Sequence, residues 1–413
     1  MIIAYEIRGE DKVYRLKCTP FQVKRHYTRM YHSRLENLPV QKNKVVFDNY
    51  MGRGYGCNGK YVTEALLAMD LDLDIVWTVK DPQGQRDMFP PQVRLVQYAS
   101  EEAMFEYATA GVWASNYHMM QYLHKGLLKK PDQTYIQMWH GSFGIKKIEN
   151  DCTNLTQDKN WTYLAQKNSR YTDYWISNSG FETAVYRQAF WDVGQVLEYG
   201  HPRNDLFFHG KEGDARRAVE RFIGKSGDKL LLYVPTFRDD LSEWEEPLDY
   251  KRLAESLSRR FGGEWSVLLR IHPRMKAYVK ESAKEGCIDV TEYPDIQELL
   301  AAADAVVTDY SSAIFDFLLT GRPAFLYATD SLDYEKMRGL YYPLTDTPFP
   351  IASSNAQMAE NIAAFDEVSY RGKVREFLKQ KDSKEDGQAS ERVARLIAEC
   401  ARYPGTAEKT VRG

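Results

Sequence analysis

Cysteine is sparse in this sequence, and Cys18, Cys57, Cys152, Cys287 and Cys400 lie far apart with no C-x-x-C pair. An odd number at such spacing argues against a disulfide scaffold and a structural zinc site, and suits a reducing compartment. Long apolar runs are also missing: no stretch approaches the ~18 residues of a membrane span. The opening Met1 to Arg8 has an acid where a secretory signal needs a basic start and an apolar core, so a cytoplasmic setting is expected. The strand, turn and helix start at Thr308–Ser312 lack the Walker lysine and the G-x-G-x-x-G glycines, which counts against ATP hydrolysis and against a nicotinamide cofactor. No D-x-D-like acidic pair sits at a strand end, so no metal is expected to be essential. Repeats, heptads and low-complexity tracts are absent as well.

Charge of one sign is lacking overall: the net value is −3, which disfavours bulk nucleic-acid binding. It is unevenly spread, because residues 1–60 hold twelve Lys or Arg against five Asp or Glu. From Phe21 to Leu35, basic and aromatic residues mix at spacings that a helix could sort into two faces. Two readings stay open there, a solvated basic helix and attachment to an anionic membrane surface.

What is present is an α/β pattern. The 413 residues suffice for two substantial domains. Strand-length apolar runs alternate with longer helical patterns, as in parallel sheets. The first series is Lys44–Asp48, Asp74–Thr78, Gly111–Ala114, Tyr135–Trp139 and Tyr174–Ser177. A charged helix and linker, Lys211 to Lys229, follows, and the series restarts with Lys229–Val234, Trp265–Ile271, Cys287–Val290, Ala305–Thr308 and Ala324–Tyr327. The expected fold is therefore two Rossmann-like domains facing across a cleft. The first covers 1–200 with its basic N-terminal segment, the second covers 201–385, and a helical tail, 386–413, packs back on the first.

Ligands of open parallel sheets bind outside the carboxyl ends of the strands, so chemistry is sought there. Trp139-His140-Gly141-Ser142 follows a strand, and a histidine titrating near ~6.5 suits a general base, whereas a structural pin is the plainer alternative. Lys146 and Lys147 come next, in reach of an anion or simply solvated. Arg270, His272 and Arg274 cluster around a proline turn at the end of another strand, an arrangement suited to phosphate. Thr308-Asp309-Tyr310-Ser311-Ser312 reads as strand, turn and helix start with Asp309 or Ser311 as N-cap, an anion site or only a well-capped helix. Thr236 and Arg238 end the first strand of the second half, where the arginine either forks a phosphate or pairs with Asp239 or Asp240.

Together with Gly52-Arg53-Gly54-Tyr55, Pro202-Arg203-Asn204-Asp205, Asp333-Tyr334 and Arg338-Gly339-Leu340-Tyr341, these motifs resemble the CDP-glycerol glycerophosphotransferase family over roughly residues 44–345. That family comprises teichoic-acid glycerol or ribitol phosphate primases and polymerases with a GT-B-like fold. The resemblance implies transfer of glycerol phosphate or ribitol phosphate from a CDP donor to a hydroxyl of a lipid-linked, undecaprenyl-type acceptor. It implies release of CMP, work at the inner membrane face as a peripheral protein, no cofactor and no nucleic acid. By the same resemblance His140 is the base and His272 a group that neutralises the donor diphosphate. Arg203, Thr236, Arg238, Arg270, Asp309, Ser311 and Ser312 fall on the CDP side, and Gly52, Arg53, Gly141 and Lys146 on the acceptor side. Two departures stand out: His201 precedes Pro202-Arg203 where an aromatic or small residue is expected, and Ser142-Phe143 replace Thr-Pro after Gly141. The alternatives are a GT-B glycosyltransferase using a nucleotide sugar and a non-catalytic membrane-surface protein.

Overall fold

The structure is a computed structural model that describes residues 2–8, 11–17, 35–152, 158–236, 248–271 and 285–402. The strands β1 (Ile2–Arg8) and β2 (Asp11–Lys17) form an antiparallel hairpin. A seven-stranded sheet follows, built from β3 (Gln41–Asp48), β4 (Asp74–Val79), β5 (Arg94–Gln97), β6 (Ala110–Ser115), β7 (Thr134–Gln137), β8 (Tyr174–Ser177) and β9 (Gln195–Glu198). Its order is β5-β4-β3-β6-β7-β8-β9, with every pair parallel. A six-stranded parallel sheet, order β12-β11-β10-β13-β14-β15, comprises β10 (Lys229–Val234), β11 (Trp265–Leu269), β12 (Ile288–Asp289), β13 (Ala305–Thr308), β14 (Ala324–Tyr327) and β15 (Ile351–Ala352).

Parallel strands covered by helices on both faces need apolar side chains on both faces. Val45, Val46 and Phe47 in β3 and Leu230, Leu231 and Leu232 in β10 meet that need, all buried. The edge strands β5 and β9 do not, since Arg94, Gln97, Gln195 and Glu198 are exposed; that is why the apolar pattern missed both. The strand expected over Tyr135–Trp139 ends at Gln137, and Trp139 adopts a left-handed φ of 47°.

Carboxyl ends of the two sheets meet along one seam. Lys60, on the helix Cys57–Ala68, ion-pairs with Asp295 at 3.2 Å and with Glu298, while Tyr61 donates to Asp295 at 2.9 Å. On the same seam Lys146 forms an antiparallel bridge with Leu340, and Tyr341 N donates to the Ile145 carbonyl at 2.7 Å. The last helix, Ala389–Arg402, returns to the first sheet: Val393, Ala394 and Ile397 share a core with Val45, Phe47 and Val112. Among the described residues no helix is long and apolar enough to cross a membrane.

Candidate active site

The site is built around the turn after β7. Gln137 Oε1 accepts from Trp139 N at 2.9 Å, which bends the chain out of the sheet and brings His140 back over the end of β6. There His140 Nδ1 lies 2.8 Å from the Asn116 carbonyl. A carbonyl only accepts, so Nδ1 carries the proton and Nε2 keeps its lone pair. The ring is packed by Trp139 (centroids 4.4 Å apart), Tyr117 (5.4 Å) and the edge of Tyr50 (5.3 Å). Burial lowers its pKa to about 3; the hydrogen bond to Asn116 opposes this, and the positive charges of Arg203 and Lys146 act with burial. His140 is thus neutral, and the ordinary value expected from sequence does not apply. Beneath Trp139 a buried pair, His118 Nε2 and Glu149 Oε2 at 3.0 Å, supports the turn.

The loop after β3 forms the wall beside His140. Asp48 Oδ1 accepts from Met51 N (3.0 Å) and Gly52 N (3.4 Å), and Oδ2 accepts from Thr78 Oγ1 (3.0 Å). Those bonds hold three successive left-handed residues: Tyr50 at φ 44°, Met51 at 60° and Gly52 at 76°. Such backbone is costly for tyrosine and methionine and collects at functional sites. Gly52 has a second constraint, because a Cβ there would sit 2.6 Å from Tyr98 Cβ. Asn116 Oδ1 accepts from Tyr50 N at 3.0 Å, so one residue fixes both Tyr50 and His140. Arg53 is exposed, its guanidinium 6.0 Å from the Tyr50 ring.

Opposite stand the strand ends of the second sheet. The Asp309 carboxylate accepts from Thr236 N at 2.9 and 3.1 Å and from Tyr310 N at 2.6 Å, tying the ends of β10 and β13 together. Neither Asp309 nor Ser311 is the N-cap expected from sequence: the helix Ala313–Phe317 starts after Ser312, without a side-chain cap bond, because Asp309 is spent on the two strand ends. Ser311 and Ser312 are both partly exposed, and a Cβ built on Gly144 would lie 3.9 Å from Ser312 Cβ, so the His140 loop abuts this turn. Arg270 Nη1 donates to the Tyr293 carbonyl at 2.6 Å, and burial lowers its pKa, with Arg53 adding repulsion from the other sheet. Arg238 and His272 lie outside the described residues.

Arg203, expected on the donor phosphates, is tied between the His140 turn and the second sheet. Its Nε and Nη2 fork Asp316 at 2.9 and 3.2 Å, Nη2 also donates to the Gly141 carbonyl at 2.8 Å, and the residue is 2% exposed. The guanidinium clips the His140 turn to the second sheet through Nε and Nη2, and its buried Nη1 has no hydrogen-bond partner among the described residues. Lys146 is partly exposed, six residues beyond His140, on the segment bridged to Leu340. Sequence reasoning missed Tyr50, Asn116, His118 and Glu149; the only signal was position after β3 for Tyr50 and after β6 for Asn116 and His118, with none for Glu149.

The chain is 31% identical to a teichoic acid poly(glycerol phosphate) polymerase of Staphylococcus epidermidis over 373 residues, covering 87% of this chain and 51% of that protein. It is 31% identical to a teichoic acid glycerol-phosphate transferase of Staphylococcus aureus over 380 residues, covering 88% of this chain and 94% of that one. The chain thus spans about half of the first relative and nearly all of the second. Its fold matches the structure of the wall teichoic acid polymerase TagF with a TM-score of 0.78 at 28% identity, covering 92% of this chain and 95% of that one. The family model described as CDP-glycerol:poly(glycerophosphate) glycerophosphotransferase matches residues 29–399. With parallel sheets in a GT-B-like arrangement and the His140 turn at their junction, the chain belongs to the CDP-glycerol:poly(glycerophosphate) glycerophosphotransferase family.

Proposed function

We propose that this chain transfers glycerol phosphate or ribitol phosphate from a CDP-activated donor to a hydroxyl of a lipid-linked acceptor in teichoic acid synthesis, releasing CMP. The observation that carries the reading is the fixed tautomer of His140, whose Nδ1 is held by the Asn116 carbonyl so that Nε2 is left to accept a proton. The acceptor hydroxyl loses its proton to Nε2 as its oxygen bonds to the β-phosphorus, and the bond to the CMP oxygen breaks. A bound diphosphate places negative charge near the imidazole and raises its pKa towards the working range. CMP leaves as a stable phosphate, so positioning and fixed positive charge supply most of the catalysis.

In this reading residues 1–200 form the acceptor side, with Gly52, Arg53, Gly141 and Lys146, and residues 201–385 bind the donor. Thr236 and Asp309 shape the donor turn, and Ser311, Ser312, Arg270, Arg238 and His272 meet the diphosphate. Arg203 acts by positioning the turn. No cofactor or essential metal takes part, and the protein works at the cytoplasmic face of the membrane, drawn to its anionic surface by the basic residues before position 60. The test is to incubate the protein with CDP-glycerol, CDP-ribitol and a set of UDP-sugars together with a lipid-linked acceptor. Release of CMP is expected; release of UDP alone would overturn the reading in favour of a glycosyltransferase.

A further inference from the structure

A closed ring of buried polar groups surrounds the base of the His140 turn. Gly141 O accepts from Arg203 Nη2 at 2.8 Å, and Arg203 forks Asp316. Gln297 Nε2 donates to Asp316 Oδ2 at 3.4 Å and to Asn204 Oδ1 at 2.9 Å. Asn204 Nδ2 donates to Glu385 Oε1 at 2.7 Å, and the same oxygen accepts from Asn178 Nδ2 at 3.0 Å. Asn178 Nδ2 also donates to Ser142 Oγ at 2.8 Å, which returns the ring to the residue after Gly141. Asn178, Asn204 and Gln297 are fully buried, and Ser142 is 1% exposed.

Glu385 is the only member of this ring contributed by the segment between the last two helices. Its second oxygen accepts from His201 N at 3.2 Å, so both carboxylate oxygens face donors. We infer that Glu385 is a positioning residue for the transfer reaction, holding the turn that carries His140 through Asn178 and Ser142 on one side and through Asn204, Gln297 and Arg203 on the other. The inference rests on the proposed role of His140.

A proton on Glu385 would set an O–H against an N–H donor and loosen the ring, so the ionised carboxylate is the working form. Burial pushes its pKa up to about 7, Asp316 adds to the rise, and His201 opposes it. The other charged groups nearby are committed: Glu182 pairs with His201 at 2.9 Å, Asp205 accepts from Ala389 N and Ser390 N, and Lys384 pairs with Asp382 and Glu198. In the free enzyme His140, held neutral with its pKa about 3, contributes no limb near neutrality, so the limb is read in kcat/KM, which reports free-enzyme groups.

The experiment follows CMP release from CDP-glycerol or CDP-ribitol, whichever the wild-type enzyme uses, with a lipid-linked acceptor. It compares the full chain with Glu385→Gln, Glu385→Ala and His140→Ala across neutral pH. In the wild type, kcat/KM for the donor should rise through a limb near pH 7. Glu385→Gln places an amide N–H2 opposite the His201 donor at every pH, so it should show a lowered kcat without that limb. Glu385→Ala should lose roughly 10- to 100-fold in kcat with donor KM unchanged, the scale of a small misplacement of a reacting group. A Glu385→Gln enzyme that keeps the limb, or a Glu385→Ala enzyme with wild-type kcat, overturns the inference while an inactive His140→Ala keeps the reading of His140. A His140→Ala enzyme with full CMP release overturns that reading, and the inference with it.

Discussion

His140 Nδ1 and the Asn116 carbonyl, 2.8 Å apart, set the tautomer on which the chemistry depends. A histidine in this setting is neutral in the folded protein at pH values where an unfolded one is charged. Its pKa falls from 6.5 to about 3 on folding, so it contributes stability that is present above 6.5 and lost as the pH falls towards 3. His140→Asn should flatten the acid side of the stability–pH curve, measured by thermal melting. In the wild type the imidazole nitrogen resonances should show the Nδ1–H form still present at about pH 5.

The loop beside His140 gives a prediction about backbone. Gly52→Ala sets a methyl group 2.6 Å from Tyr98 Cβ at a φ of 76°. The left-handed term alone costs about 1–2 kcal/mol, and the clash adds to it. Gly210→Ala, at φ 66° with nothing within 4 Å, isolates the backbone term. Denaturant melts should rank Gly52→Ala clearly below Gly210→Ala, and CMP release should fall only in the former, because only that loop packs Tyr50 on His140.

Arg203 and Asp316 offer a way to separate folding from function. Arg203→Met leaves a carboxylate buried without its partner and should cost about 3–5 kcal/mol. Adding Asp316→Leu removes the stranded charge and should recover much of that stability. Activity should not recover, because the Gly141 carbonyl still lacks its donor and the His140 turn is no longer clipped to the second sheet. Urea unfolding and CMP release on the two variants read these outcomes separately.

The proposed reaction, in which side-chain positive charge meets the diphosphate without a metal, implies insensitivity to chelation. CMP release should persist in excess EDTA and gain little from added magnesium. Loss on EDTA treatment with restoration by magnesium would remove the metal-free account.

Much of the fold was legible because central parallel strands carry continuous apolar runs, as in Val45-Val46-Phe47 and Leu230-Leu231-Leu232, both buried. The edge strands β5 and β9 were not, since one face of each is exposed and charged residues interrupt the run. Trp139 was read as strand because aromatic residues favour sheets; its left-handed φ comes from the Gln137 side chain, which no periodicity announces. Candidate residues after strands stand out by topology, as do His140, Thr236, Asp309 and Arg270. Asn116 and Glu385 do not, because their roles depend on partners 24 to 207 positions away in the chain. Arg203 shows in the sequence as a guanidinium, without the Asp316 that binds its Nε and Nη2.

The most direct test of the account is CMP release by wild-type protein and by His140→Ala, each given the CDP-polyol donor and a lipid-linked acceptor, with thermal melting as the folding control. The account predicts a loss of at least about 100-fold in kcat with an intact melting transition, the scale of losing a general base. A folded His140→Ala protein that releases CMP at the wild-type rate would contradict it.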